Sequence, residues 1–151
     1  MHAPPVHRPP WALAEPHFLD ACTRCGDCVR QCPEQVLAAG AGGYPEFDPA
    51  RGECTFCGTC ADACASKALN RVEVAPPWSW HAQVRGEACL AAQGIVCASC
   101  QDACPERAIR FDPPVGARRT PMVDAAACTG CGACVGVCPA QVVTLVAEAT
   151  P

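Results

Sequence analysis

Large aromatic side chains are scarce in this 151-residue chain, which has three Trp, one Tyr and four Phe, 5% of the total. Lysine is nearly missing, with Lys67 the single example, and only 17% of the residues are charged. Small domains draw their stability from apolar area removed from water, so this composition is poor material for an ordinary core. Long apolar runs are absent too. Windows such as Val142 to Ala147 stop far short of the ~20 residues needed by a membrane-spanning helix, and no integral membrane segment is expected. A long basic run is also lacking. The ten arginines are scattered apart from Arg118-Arg119, and 15 acids leave a formal charge of -4, which argues against a nucleic-acid partner. Residues Met1 to Pro10 hold no apolar run and no paired arginine ahead of one, so no secretory signal is read and the expected location is cytoplasmic.

Cysteine is what the chain has instead, at 16 residues, alongside 16 Pro and 12 Gly. The 50% hydrophobic fraction counts those cysteines, and most of the rest is Ala or Val. Thiols at this density imply either a disulfide framework or thiolate-bound metal, and spacing decides between them. They fall into four groups: Cys22, Cys25, Cys28, Cys32; Cys54, Cys57, Cys60, Cys64; Cys89, Cys97, Cys100, Cys104; and Cys128, Cys131, Cys134, Cys138. Groups one, two and four read C-x2-C-x2-C-x3-C. The third keeps the later spacings but reaches its first cysteine across Leu90 to Val96. Pro33, Pro105 and Pro139 follow the last cysteine of three groups, and Ala65 stands there in the second.

That spacing is the ligand run of bacterial ferredoxins. Three thiolates on one short loop hold three irons of a [4Fe-4S] cube, and the fourth iron takes the last cysteine of a partner motif. Disulfides fit poorly, because three thiols so close together cannot all pair with distant partners and no export signal is read. Structural zinc uses four ligands, commonly as two separated C-x2-C pairs, and leaves the third cysteine of each loop without a role. No group replaces its second cysteine, so nothing suggests three-iron centres. The sequence therefore predicts four [4Fe-4S] clusters with all sixteen cysteines as ligands. Two pairings satisfy the pattern: sequential, in which Cys64 completes the first group and Cys32 the second, Cys138 the third and Cys104 the fourth; or nested, joining one with four and two with three. Each oxidised cluster with its thiolates carries about -2, so the loaded protein is expected to be strongly acidic.

The expected fold class is α+β, two bacterial-ferredoxin-like lobes with two clusters each and short strands and helices around the cluster loops. Residues 1–16, rich in proline, read as an extended arm, 17–75 as the first lobe, 76–87 as a linker and 88–151 as the second lobe. The pairs Val36-Leu37, Ala68-Leu69, Ala108-Ile109 and Val142-Val143 lie four and five places after each last cysteine. They read as helices packing on the loops, with each Pro in the first helical turn. Phe47-Asp48 and Met122-Val123-Asp124 suit short strands. Gly40, Gly42 and Gly43 read as a helix end, Trp78 and Trp80 as packing between lobes, and His17 as a surface residue. His2, His7 and His81 have no second ligand at metal-binding spacing. No phosphate loop, Rossmann fingerprint or nucleophile elbow occurs, so no catalytic residues and no enzymatic activity are expected.

The chain resembles the NapF family of ferredoxin-type proteins. The resemblance lies in Arg8-Pro9-Pro10-Trp11, His17-Phe18-Leu19, Cys22-Thr23-Arg24-Cys25, Gly40-Ala41-Gly42-Gly43-Tyr44-Pro45, Ala88-Cys89-Leu90-Ala91 and Cys97 to Cys104 with Gln101-Asp102. It implies a cytoplasmic protein with four [4Fe-4S] clusters. The implied role is in maturation of the periplasmic nitrate reductase catalytic subunit, with the precursor of that subunit as partner before export. A plain electron carrier or respiratory redox subunit, and a non-redox metal-stabilised scaffold, are the other functional classes compatible with these residues.

Overall fold

The structure is a computed structural model and describes residues 6–71 and 77–147. The chain divides into two compact units between Trp78 and Ser79. Both units follow one plan.

In the first unit, helix α1 (Glu15–Ala21) leads into the first cysteine group and α2 (Asp27–Gln31) lies inside it, carrying Cys28. Strand β1 (Leu37–Ala39) follows and pairs antiparallel with β2 (Pro45–Phe47), Leu37 opposite Phe47. The second group comes next, with α3 (Thr59–Asp62) carrying Cys60. The chain then returns to bridge Leu69 with Ala12.

The second unit repeats this order. Strand β3 (Trp80–Val84) enters, α4 (Ser99–Asp102) sits in the third group, and β4 (Ile109–Phe111) pairs with β5 (Pro121–Val123). Helix α5 (Ala133–Gly136) sits in the fourth group, and β6 (Val143–Ala147) returns antiparallel along β3, Val84 opposite Val143. Each unit therefore has a central hairpin between its two cysteine groups and an outer pairing of its entry and exit segments. The content is α+β.

The helices expected after each last cysteine are strands or extended chain instead, and the short helices lie within the motifs, around each third cysteine. A repeated turn is the cause. In all four groups the residue three places after the last cysteine donates its N–H back to that cysteine's carbonyl: Gln35 to Cys32, Lys67 to Cys64, Arg107 to Cys104 and Gln141 to Cys138, at 3.0 to 3.2 Å. Those four residues adopt φ of +51° to +59°, a left-handed conformation in which a right-handed helix cannot continue. Each Pro, and Ala65 in the second group, therefore occupies a turn, and the chain leaves it extended. The eight apolar residues that follow are buried nonetheless, between 1% and 6% exposed.

Three boundaries also differ from the sequence reading. Residues 1–5 of the expected arm lie outside the described residues, but the next ones are held against the first unit. Pro9 and Pro10 are buried, Phe47 donates to the His7 carbonyl at 2.6 Å, and Trp11 and Leu13 pair with Pro77, Asn70 and Ala68. Of the expected linker, residue 76 lies outside the described residues, while 80–84 form β3, whose backbone bonds to β6 make it part of the second unit. The glycines at 40, 42 and 43 turn the β1–β2 hairpin rather than end a helix. Trp78 packs its ring on Phe47 and Phe56, with centroids 4.9 and 5.3 Å away.

Three of the segments that carry the family resemblance meet in the first unit around Arg8. Its guanidinium lies 4.9 Å over the Phe18 ring and 5.4 Å over Tyr44, pairs with Glu15 at 2.7 Å, and donates to the Pro45 carbonyl at 3.3 Å. Phe18 is wholly buried there. This polar-aromatic cluster supplies packing that the thin aliphatic core does not.

Candidate functional site

Each motif is shaped to present sulfur. In groups one, two and four a glycine follows the second cysteine, Gly26, Gly58 and Gly132, with φ of +76° to +86°, and starts the short helix that carries the third cysteine. A side chain at Gly58 would be strained by its dihedrals and would meet the Arg71 guanidinium at 2.6 Å. Residues Arg24, Phe56 and Gly130, between the first and second cysteines, also have positive φ, so the loop curls and its thiols face one side. The third group has Ala98 at φ -136° and reaches its first cysteine by the longer loop instead.

The thiols converge on recesses. One is lined by Cys32 together with Cys54, Cys57 and Cys60. A second is lined by Cys138 with Cys89, Cys97 and Cys100. A third is lined by Cys104 with Cys128, Cys131 and Cys134. Each of these three recesses brings three cysteines of one motif beside the last of its sequential neighbour. In the first motif Cys28 is raised to about 11, chiefly by burial and further by the charges of Cys22, Cys64 and Cys25. The walls are apolar: Val36, Leu37 and Phe56 in the first recess, Val84, Phe111 and Val142 in the second, Ile109 and Leu145 in the third.

Electrostatics favour a cationic guest. The third cysteine of every group is buried, and burial pushes the thiols of Cys60 and Cys134 up to about 12 and raises Cys100. Such thiols stay protonated at neutral pH unless a metal replaces the proton. Donors are already aimed at the sulfurs: the N–H groups of Leu69, Ala108 and Val142 donate to Sγ of Cys64, Cys104 and Cys138 at 3.3 to 3.5 Å, and Ala82 donates to Cys128 at 3.3 Å. The positive-φ turn after each last cysteine is what bends the chain back for the first three of these bonds. Cys57 is held below the ordinary thiol range, chiefly by the Thr59 hydroxyl. Four soft ligands, a dry wall and amides on sulfur suit an iron-sulfur cube.

Sequence reasoning missed part of the walls. Pro10 and Trp11, read as part of an arm, line the recess of Cys32, Cys54, Cys57 and Cys60. Their signal was two adjacent prolines followed by one of only three tryptophans. The left-handed residues Gln35, Lys67, Arg107 and Gln141 were also missed, because non-glycine side chains do not advertise that conformation. His17 is exposed, as read.

This fold and these recesses define a double dicluster ferredoxin. The 4Fe-4S dicluster domain family matches residues 21–69, and a second 4Fe-4S dicluster family matches residues 95–142. Cys89 lies outside the second match, yet it lines the same recess as Cys97. The ferredoxin-type protein NapF of Escherichia coli K12 is 41% identical over 91% of this chain and 82% of its own length. That of Haemophilus influenzae is 43% identical over 91% of this chain and 77% of its own. A methylamine utilization ferredoxin-type protein, MauM of Paracoccus denitrificans, is 38% identical over 87% of this chain and 66% of its own. The chain belongs to the NapF ferredoxin-type family, and its two dicluster domains with sixteen cysteines account for four [4Fe-4S] clusters. Among the described residues no helix is long and apolar enough to cross a membrane.

Proposed function

We propose that the sixteen cysteines are the iron ligands, in the sets Cys22, Cys25, Cys28 with Cys64; Cys54, Cys57, Cys60 with Cys32; Cys89, Cys97, Cys100 with Cys138; and Cys128, Cys131, Cys134 with Cys104. Each compact unit is then one dicluster lobe, with the exchanged fourth cysteine stapling its halves. The lining of the recesses supports these sets.

The protein acts in the cytoplasm as an accessory factor in maturing the periplasmic nitrate reductase catalytic subunit, whose precursor is its partner before export. It has no substrate site of its own and works by passing electrons or clusters. Likeness to NapF proteins over 91% of the chain carries this reading. Its own residues contribute ligands, amide and hydroxyl donors to sulfur, and apolar walls that exclude water. When bound, the clusters supply one-electron chemistry.

The test is anaerobic pull-down of the precursor and of the mature exported subunit across a salt series. Capture of the precursor alone, weakening with salt because the acidic field is screened within ~8 Å at physiological ionic strength, is the expected result. Equal capture of both forms, or stoichiometric copurification with the finished enzyme, supports the electron-carrier class instead.

A further inference from the structure

The third motif departs from the chain's own repeat, Leu90 to Val96 replacing a two-residue spacer. This loop is firmly folded. Gln93 N–H donates to the Cys89 carbonyl at 3.0 Å and Ile95 N–H to that of Leu90 at 2.9 Å. It is also clamped to the β4–β5 hairpin. Arg119 N–H donates to the Ala91 carbonyl at 3.0 Å, and Gly94, at φ +87°, approaches so closely that a Cβ there would stand 3.3 Å from that of Ala117. At the hairpin tip Val115 and Arg118 exchange backbone bonds of 2.9 and 3.2 Å, and Arg119 lies 5.1 Å over the Phe111 ring. Loop and hairpin therefore make one surface.

That surface exposes both apolar and basic side chains. Val96 is 104% exposed, Val115 82%, Met122 54% and Ile95 52%, in a chain with few large apolar side chains to spare. Folding of the unit does not use them. The hairpin from Ile109 to Val123 also carries Arg110, Arg118 and Arg119 against Asp112 alone, a local +2 that leaves -6 on the rest of a chain of formal charge -4. Arg110 pairs with Met122 across the strands, and both are exposed. Val96 directly precedes Cys97, so the surface adjoins the recess of Cys89, Cys97, Cys100 and Cys138.

We propose that this loop-and-hairpin surface docks an acidic one-electron donor protein that reduces the cluster held in that recess. The inference rests on the ligand sets above. Charge selects the occupant, because the hairpin's net +2 offsets the negative field that the rest of the chain presents to an acidic carrier. One electron leaves the donor and one enters the cluster, and no bond or proton moves.

Fully reduced flavodoxin serves as the probe, with anaerobic stopped-flow bleaching of the loaded protein as readout. The rate should fall as salt rises. In a Val115→Asp, Arg118→Glu variant the low-salt rate should drop about tenfold or more and then rise with salt, as for two like-charged proteins. Reduction by dithionite and the iron and sulfide content should not change. A wild-type rate that rises with salt, an unchanged variant, or equal slowing by Arg51→Glu in the first unit would overturn the proposal. Failure of the ligand reading shows separately, as a full iron complement in Cys97→Ser.

Discussion

The Thr59 hydroxyl stands 3.3 Å from the Cys57 sulfur. The matching residue is Ser99 in the third motif, 3.7 Å from the Cys97 sulfur, but Asp27 in the first and Ala133 in the fourth. A hydroxyl donor stabilises the more negative, reduced cluster and raises its potential. Thr59→Ala should therefore lower the potential of the cluster on Cys57, and Thr59→Ser should restore it. A hydrogen bond is worth roughly 1 kcal/mol net, and 1.4 kcal/mol corresponds to 59 mV for one electron, so a shift of about 20–40 mV is expected. A redox titration followed by electron paramagnetic resonance reads it, and identical potentials would remove the hydroxyl from the account.

Exchange of the fourth cysteine makes damage appear in the neighbouring motif. Cys32→Ser should impair the cluster on Cys54, Cys57 and Cys60 more than that on Cys22, Cys25 and Cys28. Cys104→Ser should act likewise on the cluster of Cys128, Cys131 and Cys134. Cluster-resolved spectra of the two variants check this, and damage from Cys32→Ser that tracks the fourth motif would instead establish nested pairing.

Loaded protein should contain about sixteen irons and sixteen acid-labile sulfides, four per [4Fe-4S] cluster, with absorbance bleached by dithionite. Because the largest buried side chains are few and three of them, Pro10, Val36 and Ile109, line the recesses, metal binding and folding are coupled. Chelation should abolish most of the circular dichroism signal. A cooperative thermal transition in the cluster-free chain would show a self-sufficient scaffold.

Arg8 joins segments far apart in sequence, through Glu15, Phe18, Tyr44 and Pro45. Arg8→Ala should leave Glu15, and Glu46 at 3.9 Å, without their cation and uncover Phe18, destabilising the first unit by about 1–3 kcal/mol. Earlier cluster loss on heating, with Arg8→Lys only partly corrective because it cannot form the planar fork, is the expected pattern.

Cluster number and the burial of the apolar pairs after each motif were legible in the sequence, because C-x2-C-x2-C-x3-C is a local pattern whose chemistry depends on spacing along one loop. The extended chain after each motif was not legible. It follows from left-handed φ at Gln35, Lys67, Arg107 and Gln141, which these side chains share with ordinary helical residues. Nor could spacing choose which Cys completes which set. Cys32 reaches Cys54, Cys57 and Cys60, and Cys138 reaches Cys89, Cys97 and Cys100, only because a hairpin lies between the two motifs of each unit and its entry and exit segments pair. Long-range pairing of that kind, like the seating of Pro10 and Trp11 against the second motif, is decided by which surfaces bury each other, and that information exists only in the folded chain.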